Sequence, residues 1–573
     1  MQVIVCNLIL NLGLEPHIGH AYSLVLADAL ALGREKLLIG KGERQSVSLV
    51  CGTDEHGSKI SKAAEALGLQ ESEFCKENRE PFKGLASKLL SLEGRKLVHT
   101  SVDAEHRLLV QRIWNLLKAV KHIYKGWYSG WYSVVDECFV SEVTGSKEAG
   151  KRENIESLGI ECVEPLSEPV LQPIEPSIQP TINASIQPTP YPSSQLVFVR
   201  EENYIFNIRP FTERIRKWLR EELELHPASL RTEVEGYLCN MQEISVSRQA
   251  SSVPWASGVP GEEKEHTIYV WFDALVGYLA GWTGNSSNCT INIDTQVIGK
   301  DILKFHTVLF PAMLLALDLP LPRRIIAHAH WLSGGKKMSK SLGNVVDPFP
   351  LIEAYSADSL RYFLLKEAKL DADSVFSVEA MHTVHLNDLV NGFGNLYSRI
   401  LNENILRIQE SECLESIGDS QSQNDILKQP NSAQYKQIQF NASANTFTPT
   451  LTKFMHECLE SYNQVQLHKV IGSSIEFVSL LNKHISAQEP WKMHPNSPHF
   501  HQFLGEMWCN LAVLASVMLP IMPEFCGKML HNLCLESPLT PKGLLHIGSK
   551  CAFRLPLAGK FAKKTLNLPL TAQ

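Results

Sequence analysis

A chain of 573 residues, 44% apolar and 20% charged, has the composition of a globular protein of about three or four domains. Its formal net charge of −7 excludes a generally basic nucleic-acid coat, so a nucleic-acid partner must be met by local patches. Its 13 cysteines form no C-x-x-C pair, which argues against a zinc knuckle and for free thiols in a reducing compartment.

No apolar run is long enough to span a bilayer, so no membrane contact is expected. No basic leader precedes the first apolar run, so no secretory or transit peptide is expected in this chain. That run, Val3 to Leu10, reads as a strand, and Ala21 to Leu32 reads as a helix. Between them lies Pro16-His17-Ile18-Gly19-His20. It places two imidazoles three positions apart at a helix N-terminus, whose free N–H groups suit a phosphate. Gly19 lets a flat ligand lie against the backbone. The spacing alone is weak: His546-Ile547-Gly548-Ser549 looks similar and has no supporting context.

To about Leu109, short apolar strands alternate with helical segments, the mark of an α/β fold with a parallel sheet. Ser48 to Cys51 reads as a buried strand that ends in Gly52-Thr53-Asp54-Glu55-His56-Gly57. Polar groups at such a strand end are where open α/β sheets bind ligands. From Val110 to Val140 the chain is aromatic-rich, with Gly126 and Gly130 spaced as in a hairpin. The following tract, 146–194, is dense in Pro, Ser, Gln and Glu, and is expected to be a disordered insertion. Thr267 to Tyr278 reads as a strand entering a helix, with Trp271, Asp273 and Tyr278 placed to line a cleft. Gln296 to Asp301 is a further strand and turn, leading into a helix with Phe305, His306 and Phe310. Strand-like Ile325 to His330 precedes Gly334-Gly335-Lys336-Lys337-Met338-Ser339-Lys340-Ser341, a loop with mobility from Gly and charge for phosphates from Lys. From Ser377 to Pro520 the pattern is helical, interrupted by a polar stretch, Glu410 to Thr446, that reads as a long loop.

Pro16–His20 and Lys337–Ser341, in this order at opposite ends of an α/β region, resemble the two signature sequences of class I aminoacyl-tRNA synthetases. Gly52–Gly57, Tyr269–Tyr278, Gly299–His306 and Gly335–Asn344 are similar to the methionyl-tRNA synthetase family, in its organellar or bacterial-like form. The resemblance implies a Rossmann-type parallel sheet split by a connective insertion and followed by an α-helical anticodon-binding bundle. The implied domains are 1–112 and 236–323 for the two catalytic halves, 113–235 for the insertion, 324–378 for the signature loop, 379–540 for the bundle and 541–573 for a C-terminal extension. It implies attachment of methionine to tRNA(Met) through methionyl-adenylate, with ATP and its Mg²⁺ as substrate, in a monomer of the mitochondrial matrix or the cytoplasm.

The same resemblance assigns residues. His17, His20, Lys337 and Lys340 would carry catalysis at the ATP phosphates, with Lys340 the better match for transition-state charge. Gly19, Gly299, Asp301 and His330 would lie about the adenosine. Asp54 would hold the methionine ammonium, with Arg248 orienting it. Ile9, Trp271, Ala274, Leu275, Tyr278, Ile302, His306 and Phe310 would form the side-chain pocket, and an aromatic lining suits a thioether. Asn395, Arg399 and Trp491 would read the anticodon. The chain departs from the family at Cys6, Asn7 and Asn11, where a Thr-rich strand end and a pocket-closing Tyr are usual. Where relatives carry zinc-binding Cys in the insertion, only Cys138 remains in a comparable place, with Cys162 in the Pro-rich insert, so no zinc is expected. The alternatives are a tRNA-binding homologue that has lost activation, favoured by Asn7 and Asn11, and a class I synthetase for another aliphatic amino acid. The short insertion leaves no room for the editing domain of the latter, and missing zinc-ligand spacing disfavours a cysteinyl enzyme.

Overall fold

Short apolar runs that alternate their burial between two faces must be covered on both, and they assemble here into one parallel sheet. The computed structural model describes residues 3–11, 15–38, 47–91, 96–99, 103–133, 138–140, 196–239, 243–280, 293–338, 343–400, 435–440, 448–494, 497–533 and 551–556. In chain order the sheet strands are β1 (Val3–Asn11), β2 (Val47–Asp54), β3 (Lys96–His99), β4 (Glu224–His226), β5 (Ile293–Gly299) and β6 (Arg324–His328). Their spatial order is β3-β2-β1-β5-β6-β4, and every pairing is parallel. Leu49 and Cys51 join one core and Val50 the other; Ile326 and Ile325 divide in the same way. This period of two is what a doubly covered sheet requires.

Helix α1 (Ile18–Gly33) follows β1 and is apolar nearly all round, so it is buried almost throughout. With α2 (Ser58–Leu67) and α3 (Glu71–Leu89) it covers one face. The opposite face carries α4 (Ala104–Ala119) and α5 (Val270–Ala280). Connections from β1 and β5, neighbours at the centre, leave toward opposite faces, which opens a crevice at the carboxyl ends of the strands.

Beyond the sheet, α6 (Ala357–Glu367) leads to a helical region that includes α7 (Leu467–Gln488) and α8 (Pro498–Met518). Arg361 of α6 is 1% exposed and pairs with the buried Asp28 of α1 at 2.8 Å. It also donates to the carbonyls of Leu89 (2.5 Å), Pro520 (2.6 Å) and Ile521 (3.0 Å). One guanidinium thus ties α1, the end of α3 and the helical region together.

Several expectations differ from the structure. Trp114 lies in α4, packed edge-on against Phe272, and Gly126 and Gly130 lie within the strand Ile123–Ser133 instead of a hairpin turn. The stretch Glu224–His226, inside the range expected for the insertion, completes the main sheet, and the chain separates a compact unit only over 125–203. A three-residue strand shows no periodicity to read. Within that unit, Arg200 lies 5.5 Å over the Trp127 ring. The expected loop Glu410–Thr446 contains a strand, Tyr435–Phe440, paired antiparallel with Cys551–Pro556. The Pro-rich tract 146–194 lies outside the described residues. No helix among the described residues is long and apolar enough to cross a membrane.

Candidate active site

The two imidazoles of Pro16–His20 begin α1 as a reciprocal cap. His17 is the N-cap, in extended conformation, and its Nδ1 accepts from the Gly19 N–H at 3.0 Å. His20 Nδ1 accepts in turn from the His17 N–H at 3.3 Å, and the rings stack with centroids 3.9 Å apart. This is the capping-box arrangement with histidines in place of the usual hydroxyl and carboxylate. Gly19 is required by the cap itself: a Cβ there would stand 2.8 Å from His17 Cε1.

Burial, with the charge of Lys337 nearby, lowers the His17 pKa to about 4. Burial, and then His17, drives His20 well below its ordinary value. Both rings are therefore neutral at pH 7. Since each Nδ1 accepts a backbone N–H, each proton resides on Nε2. The helix start presents two Nε2–H donors beside a helix N-terminus, a site for phosphate oxygens.

The Lys loop is pinned beside this helix start. Trp331–Ser333 and Lys336–Lys337 pair antiparallel across a two-residue turn. Gly334 and Gly335 have φ of 59° and 73°, so both turn positions are left-handed and favour glycine. Asn344 Nδ2 donates to the carbonyls of Ser333 and Lys337, each at 3.2 Å, and the Ile18 N–H of α1 donates to Val346 O at 3.1 Å. Lys337 Nζ rests on Asp301 Oδ2 at 2.5 Å, an oxygen that also meets His330 Nε2 at 2.8 Å. Partial burial raises the Asp301 pKa, but His330 and Lys337 outweigh it and hold the carboxyl well below its usual range. Gly299 ends β5 in register with His328 of β6. The structure thus brings His17, Gly19, His20, Gly299, Asp301, His330 and Lys337 to the strand ends. Lys340 lies outside the described residues.

At the end of β2 the acids divide. Glu55 is fully buried and forked by Arg79 Nε and Nη2 at 2.8 and 2.5 Å. Asp54 is half-buried and accepts the His56 N–H at 3.2 Å, and its backbone is in register with Asn11 of β1. The backbone of Ile9 pairs with Gly52. Arg248 is buried, with its Nη1 on Ser247 O (2.7 Å) and Ser245 Oγ (2.9 Å) and its guanidinium 4.1 Å over Tyr269.

Helix α5 and the segment after β5 bring the expected pocket residues into one aromatic cluster. Trp271 stacks on Phe305 at 4.2 Å. The Tyr278 hydroxyl donates to His306 Nε2 at 2.7 Å, while His306 Nδ1 donates to Ile302 O at 2.9 Å. Phe310 lies 5.5 Å from Tyr278, and Ala274 and Leu275 are buried on the same helix. Burial lowers the His306 pKa to about 4, so this ring too is neutral.

The family model described as tRNA synthetases class I (M) matches residues 3–401. The chain belongs to this family. A mitochondrial methionine–tRNA ligase of Homo sapiens is 30% identical to this synthetase, covering 94% of this chain and 86% of that one. A methionine–tRNA ligase of Rhizobium meliloti (strain 1021) is 31% identical, covering 93% and 92%. The crystal structure of Mycobacterium tuberculosis methionyl-tRNA synthetase bound by methionyl-adenylate is 27% identical, covers 97% of this chain and 98% of that one, and superposes with a TM-score of 0.72.

In the helical region of the synthetase, a groove of 750 Å³ lies between the segment 387–399 and α7. Asn395 is exposed there. Arg399 is held by Asn482 Oδ1 and Ser486 Oγ of α7, each at 3.0 Å. Trp491 follows α7 within a single turn that starts at Pro490, and is 50% exposed. Sequence reasoning missed Phe305 as the stacking partner of Trp271. It also missed His328, buried with its Nε2 2.7 Å from Ser23 Oγ of α1. The alternation of β6 assigns that ring to the interior, and this was the available signal.

Proposed function

We propose that this synthetase charges tRNA(Met) with methionine and that the strand-end residues divide the first step among them. The methionine carboxylate attacks the α-phosphorus of ATP, and pyrophosphate leaves; a tRNA ribose hydroxyl then attacks the adenylate carbonyl, and AMP leaves. The observation that carries this reading is the neutral His17–His20 cap beside Lys337. Its two Nε2–H groups would donate to phosphate oxygens as neutral imidazoles. Lys337 would leave Asp301 and follow the charge that gathers on pyrophosphate, with Lys340 doing the same at the transition state. Asp301, freed of Lys337, would join Gly19, Gly299 and His330 about the adenosine.

Asp54 is our candidate for the methionine ammonium, supported by Arg248. Ile9, Trp271, Ala274, Leu275, Tyr278, Ile302, His306 and Phe310 would receive the side chain. The polar pair Tyr278–His306 satisfies itself, so the pocket offers a thioether mainly polarizable aromatic surface. Asn395, Arg399 and Trp491 are proposed to read the anticodon, Trp491 by stacking. The organellar relatives support a role in mitochondrial translation, and cell fractionation tests it. We further propose a monomer without resident zinc, which sedimentation and metal analysis of the purified protein test. The function itself is tested by charging: labelled methionine should become acid-precipitable on a tRNA(Met) transcript with ATP present. Tight tRNA binding with no charging and no adenylate would select the inactive homologue instead.

A further inference from the structure

A carboxylate with no exposure to solvent must find donors for both oxygens. Asp273, on the pocket helix α5, is such a group at 0% exposed. Its Oδ2 meets His56 Nδ1 at 2.7 Å and its Oδ1 meets His106 Nε2 at 3.3 Å. Three chain segments therefore converge on one side chain: the turn after β2, the first turn of α4 and the first turn of α5.

The turn after β2 matters most. The backbone N–H of His56 is the donor that reaches Asp54 Oδ1 at 3.2 Å, so the His56 ring and the Asp54 carboxylate are steered by the same residue. On α5, Trp271 lies two positions before Asp273, Ala274 follows it directly, and Leu275 and Tyr278 come after. The His56–Asp273 contact is thus a strut between the group proposed to hold the ammonium and the helix proposed to hold the side chain. Burial opposes a charge on His56, but the Asp273 carboxylate overrides it and the ring titrates above its ordinary value. The strut is a charge-assisted hydrogen bond, stronger than a neutral one. His106 Nδ1 is buried without a hydrogen-bond partner among the described residues, so its only such ring contact there is the one to Asp273.

We infer that Asp273 is a positioning residue for methionine, holding the Asp54 turn and the pocket helix at a fixed spacing through His56 and His106. It touches no reacting atom. This inference rests on Asp54 as the ammonium site, and the test separates the two.

The test compares methionine with its analogue lacking the amino group, by competition in ATP–pyrophosphate exchange, for the unmodified protein and for Asp54→Asn, Asp273→Asn and His56→Gln. Asp54→Asn should erase the preference for methionine over the des-amino analogue; if it does not, the Asp54 assignment fails on its own. Asp273→Asn should shrink that preference about tenfold and raise the methionine KM by a similar factor, with the ATP KM within about twofold. His56→Gln, which keeps the backbone donor but loses the imidazole, should act in the same direction, and it decides the question if Asp273→Asn does not fold. A preference that survives intact in the folded variants, while Asp54→Asn erases it, overturns the inference. So does a loss shared equally by the methionine and ATP KM values.

Discussion

The strand-end site and the helical groove hold their polar groups by opposite means. At the strand ends, His17, His20, His306 and His328 are driven neutral, and their partners fix which nitrogen keeps the proton. At the groove, Asn395 is exposed and Arg399 is held by Asn482 and Ser486 on the facing helix, and Trp491, just past that helix, is 50% exposed. Chemistry on a phosphate gains from donors that need no reorganisation, whereas recognition of single-stranded bases needs side chains free to stack. The same chain therefore pairs a site built on neutral, hydrogen-bonded imidazoles with a groove that leaves Asn395 exposed.

The largest effect expected is on what joins the two regions. Arg361→Ala leaves Asp28 as a buried uncompensated charge and should cost about 3–5 kcal/mol in denaturant unfolding. It should lower stability at both regions, which a defect confined to one would not. If Lys337 acts at the leaving group as proposed, Lys337→Ala should reduce ATP–pyrophosphate exchange by roughly 10²–10³-fold while leaving tRNA affinity within about twofold. Trp491→Ala should do the reverse: about 1–3 kcal/mol less tRNA affinity, seen as reduced charging, with exchange unchanged. An equal fall in exchange and charging, in a folded protein, would remove Trp491 from the proposed anticodon site.

A smaller effect tests the neutral histidines. Their folded pKa values lie below the ordinary 6.5, at about 4 for His17, His306 and His328. Each contributes stability that is present above pH 6.5 and lost as the pH falls from 6.5 through 4. His328→Gln should therefore make stability less steep over that window by about 1.4 kcal/mol per pH unit, measured as unfolding free energy against pH. The smallest is Gly19→Ala, which forces the His17 ring aside and should cost about 1 kcal/mol in helix capping, with a raised KM for ATP and an unchanged KM for methionine.

How much of this was legible beforehand depends on the length of the signal. Strands β1, β2 and β5, helix α1 and the Gly-Gly-Lys-Lys loop carry runs or turn chemistry that local reasoning can use. Of the candidates named from them, His17, His20 and Lys337 come together at the strand ends, while Lys340 lies outside the described residues. Glu224–His226 is too short to show a period and was assigned to the insertion, though the sheet closes on it. The polar strand Tyr435–Phe440 was lost because its partner, Cys551–Pro556, lies more than a hundred residues away. Asp273 was seen as a cleft residue, but its two imidazole partners come from segments 167 and 217 positions distant, a juxtaposition only the fold supplies. Glu55 and Asp54 look equivalent in sequence, but Glu55 is the one buried under Arg79 and Thr53.

The most direct test of the central claim is ATP–pyrophosphate exchange by the unmodified protein with methionine, leucine, isoleucine, valine and cysteine in parallel. Exchange with methionine, well above the other four, is the expected result. Exchange with leucine or isoleucine and none with methionine would contradict it.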